Sequence, residues 1–122
     1  MRRTLLTFCV FSLILAGCLF LWSRIKPPVE TDYIEYHFRT SQLLSEHYEK
    51  HGIEMGFDSK EDYEKAASDV ANNINALHKK EKEDNDDIYY IEETNEFVVI
   101  STDGYIRTYF KPDSGIKYFN KQ

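Results

Sequence analysis

The strongest constraint on this chain is a run of 19 residues without a charge, "TLLTFCVFSLILAGCLFLW", Thr4 to Trp22. At about 1.5 Å per helical residue, such a run is long enough to cross a bilayer core of about 30 Å. A small water-soluble domain has no place for so long an apolar helix. The run is therefore expected to stand apart from the folded body as a membrane segment. Arg2 and Arg3 precede it, which favours an N-terminus held in the cytoplasm, while Arg24 and Lys26 behind it weaken the bias.

Three readings of this segment stay open. It is an uncleaved anchor, a lipoprotein signal, or a plain cleaved signal. "LAGC", Leu15 to Cys18, has the form of a bacterial lipobox and makes Cys18 the candidate lipidated residue, yet the apolar run continues through "LFLW" beyond it. In each case the remainder of the chain is expected outside the cytoplasm. Residues 1–26 are read as anchor or signal. Residues 27–39 are read as a linker, opened by "KPP" at Lys26 to Pro28, that runs into a first helix. Residues 40–122 are read as the functional domain. Both cysteines, Cys9 and Cys18, fall in the apolar run, so the domain has no disulfide and no thiol for metal or nucleophilic work.

Charge narrows the partners. Of 15 basic residues, Arg2, Arg3, Arg24 and Lys26 belong to the N-terminal segment, leaving 11 against all 21 acidic residues, a net charge of −10. So acidic a body argues against non-specific nucleic-acid binding. The last quarter differs. From Phe97 to Gln122 there are four basic residues (Arg107, Lys111, Lys117, Lys121) and two acidic ones (Asp103, Asp113).

The hydrophobic pattern predicts an α+β fold. Tyr33 to Lys50 has Ile34, Phe38 and Leu44 near helical spacing, and Gly52 suits a left-handed C-terminal cap. A second helix is predicted from Ser59, a good N-cap with Asp62 three residues on. Its stripe runs Tyr63, Ala67, Val70, Ile74, Leu77. "KKEKEDNDD", Lys79 to Asp87, is read as a solvated exit. The period then becomes two in "DIYYIEE", "EFVVIST" and "YIRTYFK", with a hairpin signal at Asp103–Gly104. "IKYF" is a candidate short fourth strand. The expected architecture is two helices packed on one face of a three- to four-stranded antiparallel sheet.

Candidate chemistry lies in "EHYEKHGIEMG", Glu46 to Gly56. His51 ends a helix beside Lys50. The helix end favours its cation and the ammonium disfavours it, which can poise the ring near neutral pH for proton transfer. A plain surface helix end is the simpler reading. His47 lies one turn earlier, at a spacing that can hold a metal, but no third ligand is evident and no metal site is assigned. On the third strand, strict alternation would put Arg107, Tyr109 and Lys111 on one face and Ile106, Thr108 and Phe110 on the other. Arg107, Thr108 and Lys111 are the residue types that hold a phosphate. A solvated strand face is the simpler reading there as well. Together, His51, Lys50 and this strand supply the base, acid and cations that RNA cleavage without metal requires.

"YEKHGIEMGF", "SKEDYEKAASDVANNI" and "NEFVVISTDGYIRTYFKPDSGIKYF" resemble the nuclease domain of colicin D and related toxin tips of bacterial polymorphic and contact-dependent systems. These belong to the barnase-like and RelE-like group of small ribonucleases. The resemblance covers roughly residues 40 to 120. It implies a metal-independent endoribonuclease toxin, without cofactor, acting on tRNA, with a cognate immunity protein as a second partner. It puts the catalytic histidine at His51, its lysine at Lys50 and the active-site hydroxyl at Thr108. Lys50, Arg107 and Lys111 would stabilise the phosphate, Thr108 would hydrogen-bond it, and Phe110 falls on the family's aromatic; His47, one turn before His51, is a further candidate RNA contact. Two rivals stand beside it: an anchored, non-catalytic binding or accessory protein on the same fold, and a metal-binding or structural cell-envelope protein.

Overall fold

The computed structural model describes residues 32–122. The expected anchor at residues 4–22, the candidate lipidation site Cys18 and the "KPP" linker lie outside the described residues. Tyr33–Gln122 form one compact unit. It is α+β, with three helices and a four-stranded antiparallel sheet of order β1-β2-β3-β4. The strands are β1 Leu77–Lys80, β2 Asp87–Ile91, β3 Glu96–Ile100 and β4 Ile106–Phe110.

Helix α1, Ser41–His47, starts later than its pattern predicts. Thr40 caps it by accepting from the Leu43 N–H at 3.1 Å. The preceding residues, Tyr33 to Phe38, are an extended strap, not the start of the helix. Helix α2, Lys60–Asn72, holds the strap by side chains four residues apart. Asn72 bonds both the N–H and the C=O of Ile34, at 2.9 and 2.7 Å. Ser68 does the same for Tyr36, at 2.8 and 2.9 Å. Glu64 accepts from the Phe38 N–H at 3.1 Å. Four helical residues rise about 6 Å and two extended residues nearly 7 Å, so the two repeats match over this short span. The strap ends where Phe38 bridges Ile106 on the outer edge of β4.

Helix α1 runs on into a π-helical turn, Tyr48–Gly52. The Ile53 N–H reaches back five residues to the Tyr48 C=O at 3.0 Å. The expected cap at Gly52 is shifted to Gly56, which takes φ +92. The Phe57 N–H bonds the Gly52 C=O and the Gly56 N–H bonds the Ile53 C=O, both at 3.0 Å, which is a Schellman ending. Gly52 is needed for space instead: a Cβ there would lie 2.4 Å from the Tyr48 ring and 3.0 Å from that of Tyr63.

Helix α2 begins as predicted, with Ser59 Oγ accepting from the Asp62 N–H. Tyr63, Ala67 and Val70 are buried, but the stripe ends there. Asn73 leaves the helix, Ile74 is 85% exposed, and Leu77 belongs to β1. Part of the charged stretch read as a solvated exit is therefore a strand. "IKYF" is the start of a helix, α3 Ile116–Lys121, not a strand.

The helices do not all share one face. Val98, Ile100, Ile106 and Tyr109 pack against α1 and α2 residues such as Leu44, Tyr63, Ala67 and Val70. Ile88, Tyr90 and Phe97 pack on the opposite face against Phe119 of α3. The central strands thus bury side chains on both faces, while β1 is a mostly exposed, lysine-bearing edge.

Candidate functional site

The outer edge of β4 and the π-turn meet at His51. The π-turn holds one more residue than an α-turn, so residues after it are rotated from an α-helical path; such turns recur at functional sites. His51 stacks on Phe110, with centroids 5.3 Å apart and planes at 28°. Phe110 is fixed in turn by edge contacts with Phe97 and Tyr118 at 5.4 Å each. His51, Glu54, Met55, Asn95, Phe110, Lys111, Pro112 and Asp113 line an open cleft of about 740 Å³.

His51 is half-buried. Burial depresses its pKa, and the Lys50 ammonium adds to this, against the opposing pull of Glu54. The ring is thereby biased toward the neutral form, the form a general base needs.

The candidate residues divide into groups. His51, Phe110 and Lys111 share the cleft just described. His47 and Arg107 line a second cleft of about 290 Å³. Lys50 is exposed and lines neither, although its charge reaches both imidazoles. Thr108 is half-buried, paired with Val99 of β3, and lines neither cleft.

The expected alternation along β4 fails at Arg107. The register passes from Val99↔Thr108 to Ile100↔Ile106, which leaves Arg107 as the extra residue of a bulge. Ile106 and Tyr109 therefore both reach the α1–α2 core. Arg107 Nε pairs with Asp86 Oδ2 at 2.9 Å, and Asp86 is only 3% exposed. Arg107 is thus a partnered cation, away from the His51 cleft.

His47 stacks on Phe38 at 5.0 Å and lies 6.2 Å from the His51 ring. Burial lowers its pKa first, followed by His51 and Lys50. Among the described residues its buried Nδ1 has no hydrogen-bond partner. Also among the described residues, no three His, Cys, Asp or Glu side chains are grouped to hold a metal ion.

Asn95, Glu54, Met55 and Asp113 were not legible as cleft residues. Asn95 sits at φ +57 in the β2–β3 turn, accepts from the Tyr90 hydroxyl at 2.7 Å and donates to the Pro112 C=O at 3.0 Å. These tertiary bonds bring it to the cleft.

The sequence matches no protein-family model and no curated protein.

Proposed function

We propose that the domain is an endoribonuclease of the colicin D type, acting on tRNA and held outside the cytoplasm by residues 4–22, with His51 as its proton-transfer group. The observation that carries this reading is the half-buried, neutral-biased His51, stacked on Phe110 in a cleft that also offers Lys111. In the proposed reaction His51 takes the proton of a ribose 2′-hydroxyl. The 2′-oxygen attacks the adjacent phosphorus, the bond to the 5′-oxygen breaks, and that oxygen takes the proton back from His51. A cyclic phosphate and a free 5′-hydroxyl result. Lys111 stabilises the phosphate as its charge develops, while Lys50, outside the cleft, acts through its charge on the His51 imidazole. No step requires a metal, so cleavage is expected to persist in chelator. Thr108 lines no part of the cleft and is given no role here.

A second reading is favoured by two observations. Glu54 and Asp113 share the cleft with His51, which repels phosphate, and Arg107 is held by Asp86. On that reading the fold is an anchored binding module without activity.

Expression of residues 29–122 in the cytoplasm of a test bacterium separates the two. Growth arrest with tRNA fragments, both absent in His51→Ala, is the expected result. Normal growth and intact RNA at good soluble expression would leave the binding module as the better account.

A further inference from the structure

The second cleft lies at the other end of β4 from the first. It is lined by Phe38, Arg39, Leu43, His47, Tyr105, Ile106 and Arg107. The two clefts are about five strand residues apart, roughly 16 Å, and the His47 and His51 rings stand between them.

Its two arginines are each oriented by one carboxylate through one nitrogen. Arg39 Nη2 donates to both oxygens of Asp103 at 2.9 and 2.8 Å. Arg107 uses Nε for Asp86. Among the described residues the other guanidinium nitrogens have no hydrogen-bond partner. Both side chains remain about half exposed, at 50% and 53%. The carboxylates cancel charge, but they leave rigid forks of N–H donors, the arrangement that suits phosphate oxygens. Arg39 also sits over the exposed Tyr105 ring, 4.5 Å from its centroid. A guanidinium on an aromatic ring is a platform on which an unstacked base can lie.

We propose that this cleft is a second nucleotide subsite. It takes a base on Tyr105 and Arg39 and a phosphate on the free N–H groups of Arg39 and Arg107, so that a single RNA strand spans the two clefts. The inference rests on the ribonuclease reading of the His51 cleft, and it adds that the substrate is a strand of several nucleotides.

The test uses the full chain in mild detergent. Binding is read by fluorescence anisotropy on the His51→Ala form with a labelled dinucleotide and a labelled single-stranded hexanucleotide. Adding Tyr105→Ala or Arg39→Gln should weaken hexanucleotide binding about fivefold or more and leave dinucleotide binding unchanged. Arg39→Lys keeps the charge but not the fork and should fall between. Circular dichroism melts establish that each variant is folded. Equal effects on both ligands, no effect on either, or no hexanucleotide binding at all would overturn the subsite. Cleavage by the unsubstituted chain is scored separately. Tyr105-dependent binding without cleavage would sink the nuclease reading and keep the subsite; cleavage with no Tyr105 or Arg39 dependence would do the reverse.

Discussion

His47 and His51 are one helical turn apart, and both have pKa values lowered first by burial. Their surroundings nevertheless differ. His47 lies on Phe38, which is 5% exposed, and its Nδ1 is shut away without a partner among the described residues. His51 lies on Phe110 and opens onto the larger cleft. The partner ring decides the difference. Phe38 comes from a strap fastened to α2 and belongs to the core. Phe110 comes from the end of an edge strand. Of two histidines on one helix face, the one to bet on for chemistry is the one whose stacking partner leaves it facing solvent.

The largest expected effect is on activity. If His51 carries proton transfer, His51→Ala should lower RNA cleavage by about 10²–10⁴-fold. The same change should cost stability only about 0.5–1.5 kcal/mol of ring stacking. A rate assay paired with a thermal melt checks both. A stability loss large enough to explain the lost activity would make His51 as structural as His47.

Next comes the turn that carries the second histidine. Gly52→Ala drives a methyl into the Tyr48 ring, at 2.4 Å before relaxation, with Tyr63 close behind. Overpacking of this kind costs about 1–3 kcal/mol. Tyr48 cannot retreat freely, because its hydroxyl donates to the Phe57 C=O at 2.8 Å. The expected outcome is a lower Tm together with weakened His51 function. Gly56→Ala meets no atom within 4 Å but must hold φ +92, so its cost is backbone strain alone.

His47→Phe should act in the opposite direction. It keeps a ring on Phe38 and removes a buried nitrogen that has no partner, a defect worth about 1–3 kcal/mol. Unchanged or higher stability is expected, with cleavage retained. A marked loss of activity in a stable His47→Phe protein would show that both histidines serve the chemistry.

Local signals made α2 legible: Ser59 caps it, and Tyr63, Ala67 and Val70 give a helical stripe that is buried. They also revealed β2, β3, β4 and the Gly104 turn, where φ is +89. The strap was misread because Ile34 and Phe38 fit a helical period, while the groups that satisfy its backbone, Glu64, Ser68 and Asn72, come from about 30 residues away. Strand β1 was missed because "LHKK" is an exposed edge with no alternation; only pairing with β2 defines it. Of the candidate site, the resemblance grouped His51, Lys50, Arg107, Thr108, Phe110 and Lys111, and one cleft holds only His51, Phe110 and Lys111 of these. The bulge at Arg107 was not legible. A single extra residue changes which side chains share a face, and nothing in "YIRTYFK" marks it.

The smallest effect is the most specific, because it sets His47 against a third histidine. His37 Nδ1 donates to the Glu64 carboxylate at 2.8 Å, and that bond, helped by the charges of Glu64 and Glu35 against the effect of burial, raises its pKa. A raised value means that the charged His37–Glu64 pair stabilises the fold fully below about pH 6.5, and that this is lost as pH rises through the folded pKa. His47 has the opposite sign. Its lowered value means that the fold is unburdened above about pH 6.5 and loses stability as pH falls toward the folded pKa. Melts from about pH 5 to about pH 8 should therefore separate the two. The cost of His37→Gln, relative to the unsubstituted chain, should grow toward acid. The benefit of His47→Phe should also grow toward acid. The His37 effect should be the weaker one, since 55% of its side chain is in solvent, where the pairing is screened. If the His47→Phe difference is flat with pH, the ring is not held neutral by its burial on Phe38, and the contrast between the two helix histidines loses its electrostatic half.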